Sequence, residues 1–257
     1  MFQPKRQKPT MGDNRRVTAI ISAFLAFFAL TTSPAALAET PSPTPTGTPS
    51  ITASATATPT ATPTPTATPG ESIDRADSIW VVVNKQRPLN PLKYKPQLDK
   101  TLNLATSAAN GYRALKAAVS KAGKGTLCLN SGYRSFNTQA NTYNTDVKRY
   151  GKAVAENLAA HPGYSEHQTG LAADVSTTAL GCRITNFGKS LASTWIANNG
   201  WQYGFIIRYP NGETATTGYQ YEPWHLRFVG IELATQMHDQ KITVLEKFWN
   251  LPAATKY

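Results

Sequence analysis

The chain has 257 residues, with 26 Lys and Arg against 15 Asp and Glu, four His and two Cys, for a formal charge of +11. Hydrophobic residues at 40% and aromatics at 10% suffice for a core, which excludes a wholly disordered chain. Two cysteines exclude a disulfide-rich mini-domain and a four-cysteine zinc site, and four histidines restrict metal or acid–base chemistry to a short list.

Residues 1–38 read as a secretory signal peptide. Lys5, Arg6, Lys8, Arg15 and Arg16 precede an apolar run from Val17 to Leu30, and Ala36-Leu37-Ala38 offers an A-x-A cleavage site. The run falls short of the about 20 apolar residues that span a bilayer, so cleavage is expected; only a retained leader would anchor the protein in the membrane. Residues 39–70 read as a disordered linker, since Thr40 to Pro69 holds 12 Thr, eight Pro and no charge. At about 3.1 Å per residue in polyproline II it would reach roughly 90 Å. Composition fits a passive spacer or a stalk through an extracellular matrix.

The folded part is then 71–257, one domain of 187 residues with 21 basic and 13 acidic side chains, so it keeps a charge of +8. No long basic run or base-stacking row of aromatics occurs, which argues against nucleic acid. A cationic exported domain suits an anionic cell envelope, and a secreted or wall-associated monomer is expected. In that compartment Cys128 and Cys182 default to a disulfide, worth roughly 4 kcal/mol in the loop-entropy account. The alternative is Cys182 as a metal ligand close after Asp174.

Within that domain, Trp80 to Val83 reads as a short strand before a loop with Pro88, Pro91 and Pro96. Leu98, Leu102, Ala105, Ala109, Tyr112, Leu115 and Val119 recur at three and four, predicting an amphipathic helix from Leu98 to about Ala122, ended by Gly123. A buried strand follows over Thr126 to Asn130, then helices over Phe136 to Tyr150 and Lys152 to Ala160, the latter stopped at His161-Pro162. Leu171 to Val175 is a strand and Phe187 to Asn198 a helix. Phe205 to Tyr209 and Tyr219 to Val229 are strands about a Pro210-Asn211-Gly212 turn, and Ile231 to Trp249 holds one or two closing helices. With no βαβ rhythm, the class is α+β: a small antiparallel sheet with flanking helices.

Three segments carry candidate chemistry: Ser131 to Ser135, Ser165 to Asp174, and Glu222-Pro223-Trp224-His225. A catalytic zinc takes three protein ligands and leaves one position open. His167, in a Gly-containing loop entering a strand, Asp174 seven residues on, and His225 on a later strand would supply them. Glu222 is then a free carboxylate able to take a proton from zinc-bound water and return it to a leaving amine. Arg134 could pin a substrate carboxylate or stabilise an oxyanion.

The same residues have plain structural readings. His167 could bond backbone, Asp174 cap a strand end, Glu222 and Trp224 form a surface pair, and Arg134 sit in a salt bridge. His161 is a competing ligand, although its position reads as a histidine closing a helix. His238 reads as solvent-facing.

The pattern S-x-H-x-x-G-x-A-x-D from Ser165 to Asp174, the Ser131 to Ser135 stretch with Gln139 following, and Glu222 to His225 together resemble the VanY-type zinc D-alanyl-D-alanine carboxypeptidases. Asn84-Lys85 with Pro88-Leu89 and Pro91, and Gly204-Phe205 with Arg208-Tyr209-Pro210, resemble that family too. The resemblance implies a Hedgehog/DD-peptidase-like fold. It places His167, Asp174 and His225 as zinc ligands, Glu222 as catalytic base, and Arg134 as the substrate- and transition-state-binding arginine. It also puts Ser165 and Gln139 near the bound peptide, with Trp224 against the metal site. The implied substrate is a peptidoglycan stem peptide ending in D-Ala-D-Ala. The alternatives are an L,D-carboxypeptidase on tetrapeptide stems and, in another class, a zinc-stabilised wall-binding module without turnover.

Overall fold

The computed structural model describes residues 71–257. The expected signal (1–38) and linker (39–70) lie outside the described residues. Helices are α1 (Thr106–Lys121), α2 (Phe136–Tyr150), α3 (Lys152–Leu158), α4 (Leu191–Asn199), α5 (Thr214–Thr217), α6 (Ile231–Asp239) and α7 (Leu245–Phe248). Strands are β1 (Leu127–Ser131), β2 (Ala172–Thr177), β3 (Phe205–Ile207) and β4 (His225–Phe228), forming an antiparallel sheet of order β1-β2-β4-β3. The expected α+β class and small antiparallel sheet are what the chain forms.

The apolar stripe of α1, Ala108, Ala109, Tyr112, Leu115 and Val119, is wholly buried in one cluster with Val175, Phe205, Leu226 and Phe228 of the sheet. A second cluster forms where Leu233 and Met237 of α6 meet Leu245 and Phe248 of α7. Among the described residues no helix is long and apolar enough to cross a membrane.

Helix α1 starts eight residues later than its periodicity predicts. The Asp99 carboxylate accepts from the backbone N–H groups of Thr101 and Leu102, and Asn103 adopts φ 54°. A short side chain that satisfies local N–H groups competes with helix hydrogen bonding, so 98–105 folds as a loop. Helix α2 matches its predicted limits, with the Ser135 hydroxyl accepting from Thr138 N at 3.2 Å as the N-cap. The helix predicted over Phe187 to Asn198 is broken into a 3-10 turn, Phe187–Lys189, and α4, which Ser190 recaps by accepting from Ser193 N.

Trp80 to Val83 joins no sheet, and Trp80 lies in a turn that Val81 N closes by donating to Ser78 O. The segment's side chains alternate as a strand's would, Val81 and Val83 into one core cluster, Trp80 and Val82 into the other. Arginines replace the missing ladder: Arg227 donates to the carbonyls of Ile79 and Val81, and Arg87 to those of Ile73 and Val82. The periodicity therefore reported burial on two sides, while the carbonyls of Val81 and Val82 found partners in side chains it could not show.

Cys128 of β1 and Cys182, just beyond β2, form the expected disulfide, which removes Cys182 from the candidate ligands. The bridge spans 54 positions. The Cys128→Ser, Cys182→Ser double variant should lose up to about 4 kcal/mol in denaturant unfolding. A variant equal to wild type would show that the sheet alone holds these loops together.

Candidate active site

Three local structures converge on one point. The first is a 3-10 turn, Glu166–Thr169, that carries His167 and ends at Gly170 with φ 72°, where a Cβ would stand 2.9 Å from Ala105 N. The second is the β2–β4 register, which sets Asp174 directly opposite His225. The third is the Glu222–His225 turn, closed by His225 N–H donating to Glu222 O at 3.1 Å. Proline suits the second position of such a turn, and it cannot donate to a ladder. The strand predicted from Tyr219 therefore begins only at His225, and the turn folds the Glu222 carboxylate back to 3.7 Å from His225 Nδ1. Trp224 ties the turn to β2 by accepting from Val175 N at 3.0 Å.

His167 Nδ1 contacts the Gly132 carbonyl at 2.7 Å, and since only an N–H can bond there, Nε2 is left bare toward the site. Gly132 itself has no room for a side chain, because the Asn103 loop packs so close that a Cβ there would meet Asn103 O at 2.5 Å. His167 Nε2 lies 3.2 Å from Asp174 Oδ2, and His225 Nδ1 lies 3.3 Å from Asp174 Oδ1. Donor atoms of the three residues all fall within 4.8 Å of one another, the one such His/Cys/Asp/Glu cluster among the described residues. Two ligand atoms at about 2.0–2.1 Å from a tetrahedral ion stand about 3.3 Å apart. The spacing and the His–Asp–His chemistry therefore fit zinc. Asp174 Oδ1 is also buried with no hydrogen bond of its own, as an atom reserved for a cation would be.

The close-packed carboxylates and imidazoles shift one another's ionisation. Burial disfavours the charged form of His225, but the carboxylates of Asp174 and Glu166 outweigh it and raise its pKa to about 9. Burial lowers His167. Burial would raise Asp174, yet His167 and then His225 hold it well below the usual carboxylate range. Glu222 is pushed up to about 7, mainly by burial, against the pull of His225.

Arg134 reaches the site from the loop after β1. Its Nη1 donates to Gln139 Oε1 at 2.9 Å, its Nη2 donates to Ser131 Oγ at 3.3 Å, and Nη2 lies 3.9 Å from Asp174 Oδ2. Gln139, on α2, donates in turn to Ala160 O at 2.7 Å, so its amide is engaged at both ends and steadies the arginine. Arg134, Gln139, Ser165, His167, Asp174, Glu222, Trp224 and His225 share one cavity of about 240 Å³. All the candidate site residues outside the disulfide are thus brought together. The cavity lies below the usual range for drug-sized ligands. His161 and His238 are elsewhere. His161 lies beyond the end of α3 and stacks on Tyr257 at 3.6 Å, while His238 stacks on Trp201 at 4.2 Å. The competing-ligand reading of His161 therefore falls.

Sequence reasoning gave no role to Tyr209, Tyr219 or Glu166, which also line the cavity. Glu166 stands inside the Ser165 to Asp174 pattern, and Tyr209, whose ring lies 4.9 Å from that of His225, is part of the Arg208-Tyr209-Pro210 stretch.

A family profile described as D-alanyl-D-alanine carboxypeptidase, VanY, matches residues 101–231. The chain belongs to the VanY family. A relative, a D-alanyl-D-alanine carboxypeptidase of Enterococcus faecalis (strain ATCC 700802 / V583), is 32% identical over 191 residues, 70% of this chain and 69% of that protein. The solved LD-carboxypeptidase LdcB is similar at TM-score 0.62 and 34% identity, covering 71% of this chain and 89% of that one. A mutant of the vancomycin-resistance D,D-pentapeptidase VanY from a VanB-type cassette, in complex with Zn(II), is similar at TM-score 0.59 and 32% identity. It covers 66% of this chain and 98% of that one. The expected VanY-type, Hedgehog/DD-peptidase-like fold is therefore what this chain has, and the protein is a carboxypeptidase of the VanY family.

Proposed function

We propose that this VanY-family member is a zinc-dependent D,D-carboxypeptidase that removes the terminal D-alanine from peptidoglycan stem peptides. The observation that carries the reading is the ligand-spaced His167–Asp174–His225 cluster with the Glu222 carboxylate beside it in one small cavity. The Zn(II) complex of the similar D,D-pentapeptidase supports the choice of metal. Zinc held by those three residues supplies Lewis acidity and brings the pKa of water to about 7.

The chain's own residues do the rest. Glu222, outside the ligand set, accepts a proton from the attacking water as its oxygen bonds to the scissile carbonyl carbon. When the C–N bond breaks, Glu222 returns that proton to the departing amine of D-alanine. The Arg134 guanidinium, held by Gln139 and Ser131, presents donors to the terminal carboxylate or to the developing oxyanion. Ser165 and Trp224 shape the wall against which the peptide end rests. The exported setting completes the proposal. Residues 1–38 would direct secretion, or anchor the protein if retained, and 39–70 would space residues 71–257, acting as a monomer, from the anionic envelope.

The similarity to LdcB favours a second reading, L,D-cleavage of the tetrapeptide stem with the same ligands and base. Free alanine released from a pentapeptide ending in D-Ala-D-Ala and from the matching tetrapeptide separates the two. Release from the pentapeptide, abolished by a chelator and restored by zinc, is expected. Release from the tetrapeptide alone would select the L,D reading. Release from neither, with zinc bound, would leave the wall-binding module.

A further inference from the structure

Four charged side chains, Glu166, Arg208, Arg227 and Glu246, are completely buried beneath the site. Arg208 donates from Nε to Glu166 Oε1 at 2.8 Å and pairs Nη1 and Nη2 with the Glu246 carboxylate at 3.0 and 2.6 Å. Arg227 donates to the same Glu166 Oε1 at 2.8 Å, and its remaining N–H groups reach the carbonyls of Ile79, Val81 and Phe228. Burying such an ensemble is costly, and well-packed apolar residues often serve stability as well or better. Its geometry suggests another use.

Both arginines grip one oxygen of Glu166. The other, Oε2, has no hydrogen-bond partner and faces His225 Nε2 at 3.4 Å, a buried nitrogen that likewise has none. The two unsatisfied atoms therefore meet each other. A carboxylate on Nε2 keeps the imidazole proton on that nitrogen, which turns the Nδ1 lone pair toward Asp174 and the cavity.

We propose that Glu166, clamped by Arg208 and Arg227, is the positioning residue that fixes the ring and proton of His225 and so sets the affinity of the site for zinc. This inference rests on the zinc reading above. Glu246 marks its limit: it neutralises Arg208 through both terminal nitrogens, with Asn84 as its other partner at 2.9 Å, and forms no hydrogen bond or ion pair with His225.

The test measures zinc affinity of the full-length chain by competition with a chromophoric chelator, alongside thermal unfolding, for wild type, Glu166→Gln, Glu166→Asp and Glu246→Gln. Glu166→Gln should weaken zinc binding about 10- to 100-fold, the usual effect of removing a partner of a ligating histidine. Glu166→Asp keeps the charge that the arginines need but withdraws the carboxylate from His225. It should lose affinity too, with a smaller loss of stability, and it decides the matter if Glu166→Gln does not fold. Glu246→Gln should lower the unfolding temperature while binding zinc like wild type. Wild-type affinity in a folded Glu166→Gln or in Glu166→Asp would overturn the assignment. So would a loss of affinity in Glu246→Gln as large as in the Glu166 variants, since that marks general loosening. Wild-type chain that takes up no zinc would overturn the metal reading, and this role with it.

Discussion

Glu222→Gln is expected to lower kcat about 10²- to 10⁴-fold, the range for a positioned acid–base group, with zinc content unchanged. The reason is geometric. The Glu222 carboxylate stands 3.7 Å from His225 Nδ1, outside the His167–Asp174–His225 set, and the turn through Pro223 fixes its direction. Glutamine preserves shape and wall contacts but cannot accept the proton. His167→Ala and His225→Ala should behave differently, losing zinc and turnover together, because each removes one of three ligands. Metal analysis beside single-turnover rates separates the two classes. A Glu222→Gln enzyme at wild-type rate would reject the base assignment. One that loses zinc would make Glu222 a ligand instead.

How far the site could be read in the sequence follows from the range of its interactions. Ser165 to Asp174 and Glu222 to His225 are short segments whose spacing encodes a 3-10 turn, a strand and a proline turn, so their residues could be named in advance. That His225 faces Asp174 depends on sheet register, which the later strand suggested but misjudged in length, because Pro223 and the His225–Glu222 turn end the ladder early. The supporting charges were not legible. Glu166 meets Arg208 and Arg227 across 42 and 61 positions, and Arg208 meets Glu246 across 38. Charged residues carry no periodic sign of burial and are by default assigned to solvent. The segment Trp80 to Val83 failed as a strand for the same reason, the carbonyls of Val81 and Val82 being satisfied by Arg227 and Arg87.

Arg208→Met should be the most damaging single substitution to stability, by about 3–5 kcal/mol, because removing one member of a buried ion pair leaves its partners uncompensated. Arg208 alone touches both carboxylates, so Glu246 would lose its bidentate cation and Glu166 one of two. Acid should produce a graded version of the same loss. Burial favours the neutral form of Glu246, but the charge of Arg208 and its hydrogen bonds, with one from Asn84, hold the pKa below the ordinary glutamate value. Burial likewise opposes the Glu166 charge, and Arg227 with Arg208 outweighs it. Folded-state pKa values below the unfolded ones mean that stability is fully present above the usual carboxylate range and drains away as pH falls through the depressed values. Urea unfolding of wild type between pH 7 and about pH 3 should therefore show a declining midpoint, whereas Arg208→Met starts low and declines less, its carboxylates having lost their cation. Parallel declines in the two proteins, or an Arg208→Met midpoint near that of wild type at neutral pH, would show that the buried charges contribute little to holding the sheet against α7.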